Sequence, residues 1–223
     1  MNAWVIVFIV VYAVALFAYF FTRTGTKLAP RAINKMILAL MYLVFAIVVF
    51  NMHGFSKHYY VLMAALFLAF MGDLFLVFDF NRGGDFFLAG NVCFSVFYLA
   101  SLVNHGVLFA KFFWVFIVWA VLIATFATLF FKLPNVFKMG KKRLPMTLYL
   151  ASITLHGLLG LASLILINNT AFLLLGIGSL LFMASDYILT VDRFVIQKNP
   201  WIVRSNSLTY FSGLLLIVLS MLF

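Results

Sequence analysis

Acidic side chains are nearly missing from this chain: five Asp and Glu stand against fifteen Lys and Arg in 223 residues, and charged residues of both signs make up only 9 %. About 25 % of a soluble domain's residues are charged. With 67 % hydrophobic residues and a mean hydropathy of +1.20, the chain reads instead as an all-α polytopic membrane protein. Cysteine is limited to Cys93, which excludes an internal disulfide and a thiolate metal cluster. There is no glycine-rich phosphate loop, no Gly-x-Ser-x-Gly elbow and no His-Glu-x-x-His pair, so nucleotide-dependent, serine-hydrolase and zinc-protease chemistry lack their usual supports. Neither a cofactor nor a metal is expected. Met1-Asn2-Ala3-Trp4 has no basic stretch and no small-residue cleavage pattern follows it, so the first apolar run is read as a span rather than a signal peptide.

What is present is a succession of apolar segments without the polar alternation of a membrane β-barrel strand. Eight spans are expected, at about 3–21, 34–52, 59–79, 86–105, 112–131, 145–167, 171–191 and 206–223, each near the roughly 20 residues that cross a bilayer. They form one transmembrane domain over 1–223. A net charge of +10 raises the possibility of nucleic acid, but the basic residues are distributed by loop. All except Lys57 and Lys111 lie after spans 1, 3, 5 and 7. The positive-inside rule then makes those loops cytoplasmic and leaves both termini outside. Anionic lipid headgroups are the partner this pattern fits.

Two acidic residues fall inside the apolar segments. Asp73 and Asp186 occur in similar settings, Gly72-Asp73 with Asp79 six residues on, and Ser185-Asp186 with Asp192 six residues on. Carboxylates within a span are costly and default to function. An offset of 113 residues superposes them and carries spans 1–4 onto 5–8, which predicts a parallel repeat of four plus four helices with halves at about 1–110 and 111–223. Chance similarity in an apolar alphabet is the alternative.

Polar residues at helical spacing accompany the two aspartates. Asn91, Ser95, Tyr98 and Ser101 form one stripe, Tyr149, Ser152 and His156 another, Ser179, Asp186, Thr190 and Arg193 a third, and Asn206, Tyr210 and Gly213 a fourth. Turned inward, they would surround a polar pocket containing both aspartates; alternatively, such residues simply tie helices together. His156 could join Asp73 and Asp186 on a metal, but without clustered ligand spacing a hydrogen-bonding histidine is the expectation. Lys35, Arg82 and Arg193 are candidates to hold a phosphate; ordinary positive-inside charges, with Asp79 and Asp192 pairing to Arg82 and Arg193, explain them equally well. Asp85 is expected in a turn or at a helix start.

Several segments together resemble the YhhN-like lysoplasmalogenases. They are Gly72-Asp73 followed by Leu76, the stretch Phe87-Leu88-Ala89-Gly90-Asn91-Val92-Cys93-Phe94, Pro145 with Tyr149, the stretch Gly178-Ser179-Leu180-Leu181-Phe182-Met183-Ala184-Ser185-Asp186 continuing to Asp192-Arg193-Phe194, and Leu208-Thr209-Tyr210. The chain departs from the family pattern at Tyr98, where a histidine is frequent, and at Ser212-Gly213. The resemblance implies hydrolysis of the vinyl ether bond of a lysophospholipid to a fatty aldehyde and a glycerophospholipid headgroup, by a multi-pass protein of the cytoplasmic membrane, if bacterial, with its site facing the cytoplasmic leaflet. Two carboxyl groups suit this chemistry, since protonating the alkene and stabilising the resulting oxocarbenium ion need different ionisation states. Asp73 and Asp186 are therefore the expected catalytic pair, with Asn91, Tyr98, Tyr149, His156, Tyr210, Lys35, Arg82 and Arg193 around the substrate. Two other classes fit intramembrane acids. One is a proton-coupled small-molecule transporter, although spans 3 and 7 have no internal proline to break them. The other is an intramembrane aspartyl protease, whose Gly-x-Gly-Asp signature is absent because Ala69-Phe70-Met71 precedes Gly72.

Overall fold

A bilayer interior offers backbone amides no water, so an apolar chain closes its hydrogen bonds within helices. The computed structural model describes residues 3–25, 28–53, 56–196 and 199–223, except the side chains of Leu28 and His53, and is helical with no strand among them. Lys27 and Lys198 lie outside the described residues. The main helices are α1 (Ala3–Thr22), α2 (Leu28–His53), α3 (Tyr59–Phe75), α4 (Phe80–Asn104), α5 (Trp114–Lys132), α6 (Arg143–Leu166), α7 (Thr170–Val191) and α8 (Pro200–Leu219). A short turn at Phe109–Phe112 leads into α5, and α7 runs on into a π-helical turn, Asp192–Ile196. Seven of the helices are long and apolar enough to cross a membrane; α3, with 17 residues, is the shorter one.

Helix boundaries correct the expectation in three places. The expected third span, 59–79, ends at Phe75, because Asp79 opens the next helix instead of closing this one. Its extended backbone lets the carboxylate accept from Asn81 N at 2.8 Å and Arg82 N at 3.5 Å, the arrangement that satisfies the first amides of a helix. Thus α4 starts at Phe80, and Asp85 is helical. Likewise α2 starts at Leu28 and not 34, placing Arg31 and Lys35 on its first turns, and α8 starts at Pro200, capped by Asn199. Each of these helices begins before its longest apolar run, where hydropathy alone does not register it.

Centre and periphery separate by burial. In the segment Gly140–Leu166, which contains α6, 61 % of the apolar window is buried, against 11 % in Phe109–Lys132, which contains α5. Thus α6 lies at the middle of the bundle, packed on α4, α5 and α7, while α5 turns most of its surface outward. Small residues permit the closest crossing. A side chain at Gly178 of α7 would stand 2.7 Å from the carbonyl of Gly213 on α8, and one at Gly213 equally close to the carbonyl of Gly178. This is the small-residue contact by which helices pack in lipid. Helix α1 is fastened by Tyr12, whose hydroxyl donates to the Phe211 carbonyl of α8 at 3.0 Å.

Candidate active site

Five helices bring polar side chains to a cavity of about 1120 Å³. Asp73 comes from the last turn of α3 and Asp186 from the C-terminal part of α7; both line this cavity, 1 % and 4 % exposed. The other end of the cavity reaches the segments joining α1 to α2, α3 to α4 and α7 to α8, through Gly25, Phe78 and Pro200. Those are three of the four basic connections of the sequence; the one after α5 is not part of the lining.

Asp73 is held by two helices. Lys35 Nζ of α2 lies 3.0 Å from its Oδ1 and also donates to its backbone carbonyl at 3.2 Å. Tyr210 of α8 donates to Oδ2 at 2.8 Å, and Tyr42 of α2 donates to the same oxygen at 3.4 Å. A buried carboxylate is tolerated only with such neutralisation. Asp186 is held differently: Tyr149 of α6 donates to its Oδ2 at 2.7 Å, and among the described residues no cation pairs with it. The two acids therefore share a cavity but not an environment.

Aromatic rings form the inner wall. Phe87, Phe182 and Tyr210 meet edge to face with centroid distances of 5.0 to 6.3 Å. Gly72, beside Asp73, gives Phe87 its place, since a methyl group there would lie 2.8 Å from the ring. Phe182 also faces His156 at 5.5 Å and so stands between the aspartate cavity and a second polar cluster.

That second cluster contains three of the expected substrate-binding residues. His156 Nδ1 lies 3.2 Å from Asn91 Oδ1, its Nε2 lies 2.9 Å from Ser179 Oγ, and the Tyr98 hydroxyl lies 2.6 Å from the same serine. All four side chains are fully buried and none lines the cavity. A neutral imidazole donating to Asn91 and accepting from Ser179 satisfies both ring nitrogens. The expected single pocket is thus divided: Lys35, Tyr210 and Arg193 line it together with both aspartates, Tyr149 reaches it through its hydroxyl, and Asn91, Tyr98 and His156 lie behind the aromatic wall. Arg82 is also elsewhere, pointing outward with its side chain 72 % exposed and 3.8 Å from Asp79, while its neighbour Phe80 lines the cavity.

Other residues of the site were not expected. Tyr42 is one; Arg23 and Arg31 are others, lining the cavity at its basic end, where Arg23 Nε donates to Ser207 Oγ at 3.0 Å. Arg193 stacks there on the Phe80 ring at 4.7 Å. The signal for Tyr42 is its seven-residue spacing from Lys35, two turns along one helix face. Among the described residues no group of three His, Cys, Asp or Glu side chains is arranged to hold a metal ion.

No curated protein and no solved structure matches the chain. A family model described as the YhhN family matches residues 31–221.

Proposed function

The chain belongs to the YhhN family, and on that premise we propose that it is a lysoplasmalogenase-type hydrolase in which Asp186 delivers the proton and Asp73 supplies the fixed negative charge. The observation carrying this reading is the unequal holding of two carboxyl groups in one cavity: Asp73 paired with Lys35, Asp186 bonded only by the neutral Tyr149 hydroxyl. A vinyl ether reacts when its β-carbon takes a proton, leaving an oxocarbenium ion at the carbon attached to oxygen. Asp186, with no cation to hold it as an anion, is the donor; the Asp73 carboxylate stabilises the cation. Once ionised, Asp186 takes a proton from water as the water adds to the cation. The hemiacetal so formed passes its hydroxyl proton to the glycerol oxygen and separates into a fatty aldehyde and the glycerophospholipid headgroup. Overall one water is consumed and both carboxyl groups are restored, the logic of glycosidases that work through oxocarbenium-like states.

Arg23, Arg31 and Arg193 supply cations for the phosphate at the cavity's open end. In this reading that end faces the cytoplasmic leaflet, both termini lie outside, and the protein resides in the cytoplasmic membrane if bacterial. The four-plus-four repeat is supported by one recurrence: each aspartate accepts from a tyrosine of the preceding helix, Asp73 from Tyr42 of α2 and Asp186 from Tyr149 of α6. Asn91, Tyr98 and His156 act on the substrate only through the helices they join.

The test is incubation of purified protein with a vinyl ether lysolipid and with its saturated ether counterpart in deuterium oxide. Aldehyde from the first alone, carrying deuterium on the carbon beside the carbonyl, is the expected result. Equal cleavage of an ester-linked lysolipid, or aldehyde lacking that deuterium, overturns it.

A further inference from the structure

A second cavity, of about 400 Å³, lies beside the first between the start of α4, the start of α6 and the end of α7. Its character is different. Leu88, Pro145, Met146 and Leu148 contribute walls absent from the aspartate cavity, and the lining is mostly apolar, with Asn81, Asp85, Lys142, Tyr149 and Thr190 as its polar members. Leu76, Phe80, Phe87 and Leu189 line both cavities, one on each side. Tyr149 joins them chemically as well, since its ring lines the apolar cavity while its hydroxyl bonds Asp186. At the outer edge Leu148 is 56 % exposed, so the apolar cavity borders the face of the bundle that meets lipid.

Resting on the proposed hydrolase reading, we propose that this side cavity is the binding site for the hydrocarbon chain of the substrate, entered sideways from the bilayer between α4 and α6. The occupant follows from continuity with the reaction site. A single-chain amphiphile whose phosphate meets Arg23, Arg31 and Arg193 must send its chain from the polar cavity into an apolar one, and the walls shared by the two cavities converge beside Asp186. The bond between headgroup and chain then lies at that junction, where the proton is delivered. The depth of the side cavity sets which chain lengths place the alkene correctly, and Met146 and Leu88 are its specificity-determining residues.

Two measurements test this. In the first, Met146→Trp, which narrows the cavity, and Met146→Ala, which deepens it, are assayed on short-chain and long-chain vinyl ether lysolipids, with Leu173→Trp on the outer surface of α7 as control. The tryptophan variant should lose at least about tenfold in kcat/KM on the long chain while retaining activity on the short one. The alanine variant should shift its preference toward longer chains, and the control should match wild type. If Met146→Trp does not fold, Met146→Ala decides. Unchanged chain preference in a folded variant, or equal loss on both chains, overturns the proposal while leaving the hydrolase reading intact. In the second, a saturated ether lysolipid with a diazirine at its chain end is photolysed on wild-type protein, without any need for turnover. Labelling of peptides containing Met146 or Leu88, reduced by excess unlabelled lysolipid but not by diacyl phospholipid, supports the site even if the vinyl ether is not the substrate. Labelling spread over the outer surface, or competed equally by diacyl lipid, overturns it.

Discussion

At the scale of single residues, the two aspartates differ in what removing them does. Asp73→Asn leaves the Lys35 ammonium buried without its carboxylate, and breaking a buried pair in this way costs about 3–5 kcal/mol. The variant should lose both turnover and thermal stability, measured by aldehyde release and by unfolding in detergent. Asp186→Asn strands no cation among the described residues, so it should abolish turnover with little change in melting temperature. Equal stability losses in the two would sink the assignment of distinct roles. Tyr149→Phe removes one hydrogen bond to Asp186, worth about 1.5–3 kcal/mol when a charged partner is involved, and should lower kcat by roughly tenfold to a hundredfold. A kcat at the wild-type level would mean that the phenol does not act on the acid. These residues were unequally legible in the sequence. Asp73, Asp186, Lys35, Tyr149 and Tyr210 could be picked out because a polar group within an apolar run is conspicuous. Asn91, Tyr98 and His156 were equally conspicuous, and the structure places them behind Phe182; spacing along a helix says which residues share a face but not which neighbour that face meets.

At the scale of helices, close crossings matter more than apolarity. Gly213→Leu would force its side chain against the Gly178 carbonyl and part α7 from α8. Overpacking of this kind typically costs about 1–3 kcal/mol, so a lowered melting temperature is expected. Turnover should fall too, because α7 carries Asp186 and α8 carries Tyr210; a fully stable and active variant would show that the crossing is not needed. Gly72→Ala acts more locally, pressing on the Phe87 ring, and should reduce turnover more than it reduces stability. Helix number and order were readable from hydrophobic length alone. Helix starts were not, since Asp79, Asn199 and the polar first turns of α2 and α4 are defined by capping and interfacial geometry that carries no hydropathy signal. The same error leaves Arg31 outside the expected second span, although it lines the cavity with Asp73. The glycine crossings were invisible for another reason: thirteen glycines look alike until a partner helix is known.

At the scale of the whole molecule, the basic segments and the aspartate cavity lie at one end of the bundle, which makes orientation testable. Single cysteines placed in the segments after α1, α3 and α7, in a background lacking Cys93, should react with a membrane-impermeant thiol reagent only after the cytoplasmic side is opened; labelling of intact cells at these sites would reverse the topology. The short third helix leads to a separate consequence. At 1.5 Å per residue its 17 residues reach roughly 25 Å, less than the roughly 30 Å of an average hydrocarbon core. Asp73 is in its last turn, and the Leu76–Phe78 stretch beyond it lines the cavity. A span this short is met by local thinning of the bilayer or by flanking side chains reaching to the interface. Vesicles made from lipids of decreasing acyl length should therefore support rising activity until they fit α3, and the protein should sort toward thin membranes, so that membrane thickness governs both where it accumulates and how fast it works.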